Sequence, residues 1–399
     1  MRKFTLMIIM IVIMLTTVFT GCNRIGSINN KPSSLASNIN SSNENNSSKT
    51  AWGNSNIPEK VTEKDYSAVF DKRTIKTFLA SLSDGTLWLP IAISNDEICG
   101  FTGAVKSKPS KIVVYNIATG KSTAVFSLDD KFQPEFIQFS STNILLTEYI
   151  PNSNDDTGKQ KAVLFNRSTG KVRILGTSKN SSSGDIQIAL GSDYALWSYG
   201  TQGKAGNTMY CIYSYNFKTL QTTLFKQNAY MPVIGNNFIA WLGPSQENSG
   251  YNSLYYQDTT SNKITTISSG INPTYLAAYG DKLVFSGRVI TSSAKETESA
   301  LVLLQNGKQV IIEESKEYDY EFPVVSNNYI SWDENLKKRV YSVGQNTIID
   351  LPSVYGEAFV SDKYIMWGSD AIVNESKEQA QKDGIYKTNI NLICTTANR

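Results

Sequence analysis

The chain has 399 residues, 40% of them hydrophobic and 11% aromatic, enough apolar surface for a substantial core. Lysine and arginine number 38 against 35 acids, a net charge of +3, and no basic cluster is present, so nucleic acid is not expected as a partner. Histidine is absent. That removes Ser-His-Asp and Cys-His catalysis, His-ligated zinc and the commonest general base near neutral pH.

Arg2 and Lys3 precede an apolar run from Phe4 to Phe19, too short for a comfortable membrane span and flanked as an export signal is. The run ends in Phe19-Thr20-Gly21-Cys22, which resembles the bacterial lipobox, with Phe19 where that motif usually places Leu or Val. The resemblance implies a lipoprotein signal peptide over 1–21 and a lipidated, palmitate-bearing Cys22 as the mature N-terminus. Such a protein is anchored to a membrane surface without spanning it. The other reading is a plain cleaved signal with an incidental cysteine. Loss of Arg2 and Lys3 takes two charges from +3 and leaves +1. The Asn-, Lys-, Ile- and Ser-heavy composition points to the extracytoplasmic face of a Gram-positive cell membrane. In a Gram-negative cell, Asn23 would permit sorting to the outer membrane.

Residues 22–57 read as a disordered tether. Positions 23–57 hold 10 Asn and 9 Ser in 35 residues and too little apolar surface to offset the entropy of ordering. As a random coil this segment spans on the order of 30–35 Å. Residues 58–84 form a transition segment packed on the domain that follows. Ile75, Phe78, Leu79 and Leu82 fit a helical stripe with Asp71 as N-cap. They fit a strand equally well, one that would complete the last repeat and close a ring.

From 85 to 399 a unit of strand, turn, strand, loop and hairpin recurs. Its first turn falls at Ser94, Ser140, Gly191, Gly235, Gly280, Ser326 and Ser361, spaced by 35 to 51 residues. A period of this length with about four strands per unit predicts an all-β fold, a β-propeller of four antiparallel strands per blade. Seven blades are expected, with six or eight as alternative counts. The first and second strands are apolar on both faces, as in FPVVS (322–326) and YISW (329–332), which suits strands packed between neighbouring blades. The later hairpins carry Asn116, Asn166, Asn216 and Asp258 at equivalent places, where a short polar side chain caps the turn. Gly120 and Gly170 follow, supplying positive φ, and the fifth unit uses the tight Asn306-Gly307.

At these residues the chain resembles the TolB-like bacterial propellers, whose blades pair a YIxW strand with a lYxYDlxTGk hairpin. Trp197, Trp241, Trp332 and Trp367 match the first element. Tyr115-Asn116 with Thr119-Gly120-Lys121, and Phe165-Asn166 with Thr169-Gly170-Lys171, match the second. The resemblance implies the propeller alone, because residues 23–84 are too short and too polar for the N-terminal domain of TolB, and propellers host enzymes, receptors and scaffolds alike.

The four tryptophans recur at one place and are expected in the packing between blades. Cys99, Cys211 and Cys394 have no metal-like spacing and read as buried apolar residues, with a Cys99–Cys394 disulfide as the minor alternative. No metal or cofactor is expected. The Asn152–Gly158 stretch looks like a calcium loop but has Val163 where a bidentate Glu would sit. Acidic runs at Glu313-Glu314, Glu317–Glu321 and Asp333-Glu334 read as surface charge and hairpin ends, although paired carboxylates also serve glycoside chemistry. The connections after the second strands vary most and would gather on one face, flanked by Tyr149, Tyr199 and Tyr251 as candidate binding residues. The function expected is a non-catalytic binding or scaffold module, engaging an envelope protein or cell-wall glycan through that face. The alternative is a carbohydrate-active enzyme, a lyase or glycosidase.

Overall fold

The computed structural model describes residues 61–395 apart from 71–74, 104–108, 130–131, 151–159, 179–185, 203–207, 247–249, 268–269, 291–295, 335–336, 353–356 and 371–386. Cys22, the 22–57 tether and the calcium-like loop lie outside the described residues. The remainder forms seven sheets of four antiparallel strands, the sixth extended by one parallel strand, in a seven-bladed β-propeller. Blades 1 to 6 span 88–127, 133–178, 187–227, 230–267, 271–315 and 321–350. Their strands bond in simple order, and the first strands of neighbouring blades lie side by side around the axis. Side chains bridge them: Gln138 donates to Ile188 O at 3.1 Å, and Gln187 accepts from Met231 N at 2.8 Å.

Blade 7 combines the two ends of the domain. Ala358–Val360, Tyr364–Asp370 and Thr388–Cys394 supply three strands, and Ile75–Leu79 adds the fourth, antiparallel to Thr388–Cys394. Of the two readings of this segment, the strand is realised. It occupies an edge that would otherwise be open, and its Phe78 stacks on Tyr115 of blade 1 at 4.5 Å. A second stitch precedes it. Thr62–Asp65 runs parallel to Thr347–Asp350 and makes blade 6 five-stranded. Asp65 then caps the single turn Tyr66–Val69, accepting from Ser67 N at 2.8 Å, and Phe70 is buried in the seam between blades 6 and 7.

The core lies in the seams between blades, because each sheet is apolar on both faces. Trp197, Trp241, Trp332 and Trp367 are buried in the 2/3, 3/4, 5/6 and 6/7 seams. Trp88, from the first strand of blade 1, fills the 7/1 seam. Cys99 and Cys211 are buried free thiols, so the Cys99–Cys394 disulfide is not formed.

The turn chemistry is as expected. Ser140, Gly191, Gly235, Ser326 and Ser361 each donate their backbone N–H to the carbonyl three residues on, at 2.8–2.9 Å. Asn116, Asn166, Asn216 and Asp258 each accept a backbone N–H three residues on, at 2.7–2.9 Å. A further repeat is visible only in the ladder. Pro90, Pro134, Pro232, Pro273 and Pro323 each sit in or beside a register shift on the first strand of their blade. Proline cannot donate to a ladder, so it takes the bulge of the strand that faces the axis. In blades 1 and 5 a glycine lies opposite. A Cβ at Gly100 or Gly287 would stand 2.0 Å from Leu89 O or Asn272 O.

Candidate functional site

Antiparallel alternation sends the first-to-second and third-to-fourth connections to one end of the disc, called here the turn face. Second-to-third connections emerge at the other end, the loop face. The long variable stretches of the loop face fall mostly outside the described residues. Tyr149, Tyr199 and Tyr251 stand at this rim in the consecutive blades 2, 3 and 4, all half-buried. Tyr149 donates to Gln133 Oε1 at 3.4 Å, and burial raises its phenol pKa. Tyr199 stacks on Tyr213 at 5.3 Å, which stacks on Trp197 at 5.8 Å; burial, then the Tyr213 hydroxyl, push its pKa up to about 12. The Tyr251 carbonyl accepts from Ser245 N at 2.9 Å and closes the base of its loop.

The acidic runs lie only partly on the surface as expected: Glu314, Glu317 and Asp319 are exposed, whereas Glu313, Glu321 and Asp333 are half-buried and Glu334 is buried. Strand alternation in Tyr329–Glu334 directs Ile330, Trp332 and Glu334 toward blade 5, and Ser331 and Asp333 toward blade 7. In the 5/6 seam Arg339, 4% exposed, meets four carboxylates. Its guanidinium donates to Asp350 Oδ1 at 2.8 Å and Glu334 Oε2 at 3.0 Å, pairs with Glu63 at 3.2 Å, and donates to Glu313. Burial opposes the guanidinium's charge, but Glu313, Asp350 and Glu334 outweigh it and raise its pKa. Glu313 goes the other way. Burial, joined by the like charges of Glu334 and Glu63, exceeds the attraction of the shared Arg339 and pushes its pKa up to about 7. Tyr320 is buried beside them, and its hydroxyl makes no hydrogen bond among the described residues.

The 6/7 seam repeats the theme. Asp333 pairs with Lys338, which is 6% exposed, and stands opposite Glu321 in the ladder. Burial, then the neighbouring acids Asp319 and Asp333, push Glu321 up to about 7. Burial, then Asp333, do the same to Glu357. These groups have the perturbed pKa values that often mark catalytic acids. Here Arg339 and Lys338 occupy the centres of the two clusters, as in structural ion-pair networks. Among the described residues no group of three or more His, Cys, Asp or Glu is placed to hold a metal ion. The local signal in the sequence was three successive cations, Lys337-Lys338-Arg339, at the start of the strand Lys337–Ser342.

At the turn face a cavity of about 180 Å³ is lined by the ends of the inner strands and the turns of blades 1, 5, 6 and 7. Asp362 organises it. Its carboxylate accepts from Asn327 N at 2.8 Å, Asn327 Nδ2 at 2.9 Å and the Tyr279 hydroxyl at 3.3 Å. Beside it Lys363 pairs with Asp96 at 3.1 Å, and the Tyr364 hydroxyl donates to Asp96 at 3.2 Å. Blades 5, 6, 7 and 1 are thereby tied across the closure of the ring.

No family model matches the sequence, and no curated protein matches it. Solved structures do. The Pyrococcus horikoshii acylaminoacyl peptidase aligns at TM-score 0.51 and 8% identity, over 70% of this chain and 48% of its own. The Vibrio parahaemolyticus oligogalacturonate lyase aligns at TM-score 0.50 and 7% identity, over 80% and 97%. TolB from Acinetobacter baumannii aligns at TM-score 0.45 and 12% identity, over 66% and 65%. The chain spans less than half the length of the peptidases it matches. What these similarities share is architecture: the chain is a seven-bladed β-propeller whose likeness to the acylaminoacyl peptidase and the lyase is a likeness of fold.

Proposed function

We propose that this chain is a lipid-anchored envelope protein whose propeller is a non-catalytic binding or scaffold module. It engages an envelope protein or cell-wall glycan through the loop face and is held at the extracytoplasmic face of the cell membrane by Cys22. The observation that carries this reading is the double stitch made by 62–79. Thr62–Asp65 and Ile75–Leu79, which follow the tether in sequence, are built into blades 6 and 7 and close the frame. Variable loops on a rigid frame are where binding residues concentrate. The carboxylates with raised pKa values support the same reading, since each cluster is centred on an arginine or lysine within a seam.

Metabolic labelling with an alkynyl palmitate tests the anchor. The full chain is expected to take up label and to sediment with membranes. Cys22→Ala is expected to lose both. Label retained by Cys22→Ala, or never taken up by the parent chain, would overturn the anchoring. Release of unsaturated or reducing-end products from polygalacturonate or wall glycan by the purified chain would replace the binding reading with the carbohydrate-active one.

A further inference from the structure

Tyr279 is the only aromatic among the large apolar side chains that stand exposed in the described residues, at 42%, and it lines the turn-face cavity. Its ring is held in place. The hydroxyl is bonded to Asp362, and Asp362 is itself fixed by both donors of Asn327. An exposed aromatic surface that is already immobilised loses little entropy on binding, which favours recognition. Around it the cavity is mixed, with Ser94, Asn95 and Lys363 beside Ile93, Val324 and Val360. The side chains of Ser94 and Asn95 carry no hydrogen bond among the described residues, and the Lys363–Asp96 pair is half exposed and open to exchange.

We propose that this cavity is a carbohydrate subsite that takes one hexopyranose ring. Such a ring offers a face of C–H groups, which fits the flat Tyr279 ring, and a rim of hydroxyls, which suits the amide of Asn95 and the hydroxyl of Ser94. The volume agrees. Sites for drug-sized ligands occupy roughly 300–1,000 Å³, and a cavity of about 180 Å³ admits a single small ring. The inference rests on the reading of the disc as a binding module and adds a ligand class at the face opposite the variable loops.

The test is saturation-transfer NMR and calorimetry on the full-length chain in detergent. The probes are glucose, galactose, N-acetylglucosamine and the β-1,4-linked tetramer of N-acetylglucosamine. Saturation is expected on ring C–H protons of at least one sugar. Tyr279→Ala is expected to weaken binding about tenfold or more, with only a small fall in the unfolding midpoint, because the ring is outside the core and the single bond lost is an exposed one to Asp362. Asn95→Ala is expected to weaken it several-fold. Tyr279→Phe keeps the ring but frees it from Asp362, and is expected to fall between parent and alanine. A tetramer that binds more tightly than the monosaccharide identifies a polymer as the source, and equal binding identifies a free sugar; both support the subsite. Absence of saturation for every probe at millimolar concentration, or undiminished binding by Tyr279→Ala, overturns it. Either failure leaves the loop face intact, so capture of a partner there separates loss of this subsite from loss of the binding-module reading.

Discussion

Replacing Arg339 with methionine is expected to cost about 3–5 kcal/mol of stability, because it leaves buried carboxylates without their counter-charge. Glu313 and Glu334 are largely enclosed in the 5/6 seam, with side chains 14% and 7% exposed, and Arg339 is their one ion-pair partner among the described residues. The loss also reaches the ring closure, since Arg339 holds Glu63 of the parallel strand on blade 6. Urea unfolding followed by tryptophan fluorescence measures it, with Trp332 in the same seam as a local reporter. Glu63→Gln is the control. Its side chain is 62% exposed, so it is expected to change stability by well under about 1 kcal/mol. An Arg339→Met variant within about 1 kcal/mol of the parent would show that the four acids are not ionised together around it.

The second large effect is a fall in stability as pH rises from about 5 to about 8. Glu313, Glu321 and Glu357 have folded-state pKa values pushed up to about 7 from an ordinary 4.5. Between those two values the folded chain holds more protons than the unfolded chain, so raising the pH favours unfolding. Below the ordinary value all three are protonated in both states and no further gain follows. Above about 7 all three are ionised in both states and the penalty is complete. The total is on the order of a few kcal/mol. Asp84 and Asp258 have pKa values lowered mainly by turn hydrogen bonds, Asp193 by its bond and ion pair with Lys218, and Asp281 by the hydrogen bond from Gln305. Their contribution is present above their ordinary pKa and lost as pH falls through the lowered values, outside this window. Thermal midpoints at pH 5 and pH 8 decide the matter, and Glu321→Gln is expected to flatten part of the slope. A midpoint that rises over the same interval would refute the assignment. The penalty of Arg339→Met is also expected to shrink at pH 5, where Glu313 is protonated without it.

The architecture was legible because its signals are local. The Ser140, Gly191 and Ser326 turns, the Asn116 and Asn166 caps and the repeated tryptophans each report within a few residues. The seam charges were not, because their partners come from different blades. Glu313 sits on the last strand of blade 5 and Arg339 on the third strand of blade 6, while Glu63 arrives from the chain's other end. Read in line, Glu313-Glu314 and Asp333-Glu334 look like solvated hairpin ends. The closing strand was ambiguous for another reason. Ile75, Phe78 and Leu79 satisfy helical and strand spacing alike, and only an unfilled edge on blade 7 decides between them. The turn-face cavity was invisible for a related reason: Tyr279, Asn95 and Asp362 belong to three blades, and each reads alone as an ordinary turn residue. Tyr149, Tyr199 and Tyr251 could be placed on one rim from the repeat alone, since each flanks the same connection of its unit.

The most direct measurement of the central claim is crosslinking in intact cells. A photoreactive residue is placed at Tyr149, Tyr199 or Tyr251 of the full chain, and the adducts are identified by mass spectrometry. A binding module is expected to yield one reproducible envelope protein or wall-glycan adduct from these loop-face positions. That adduct should disappear when the photoreactive residue is moved to the buried Trp332 position. Adducts from neither class, or the same adducts from every position, would contradict the account.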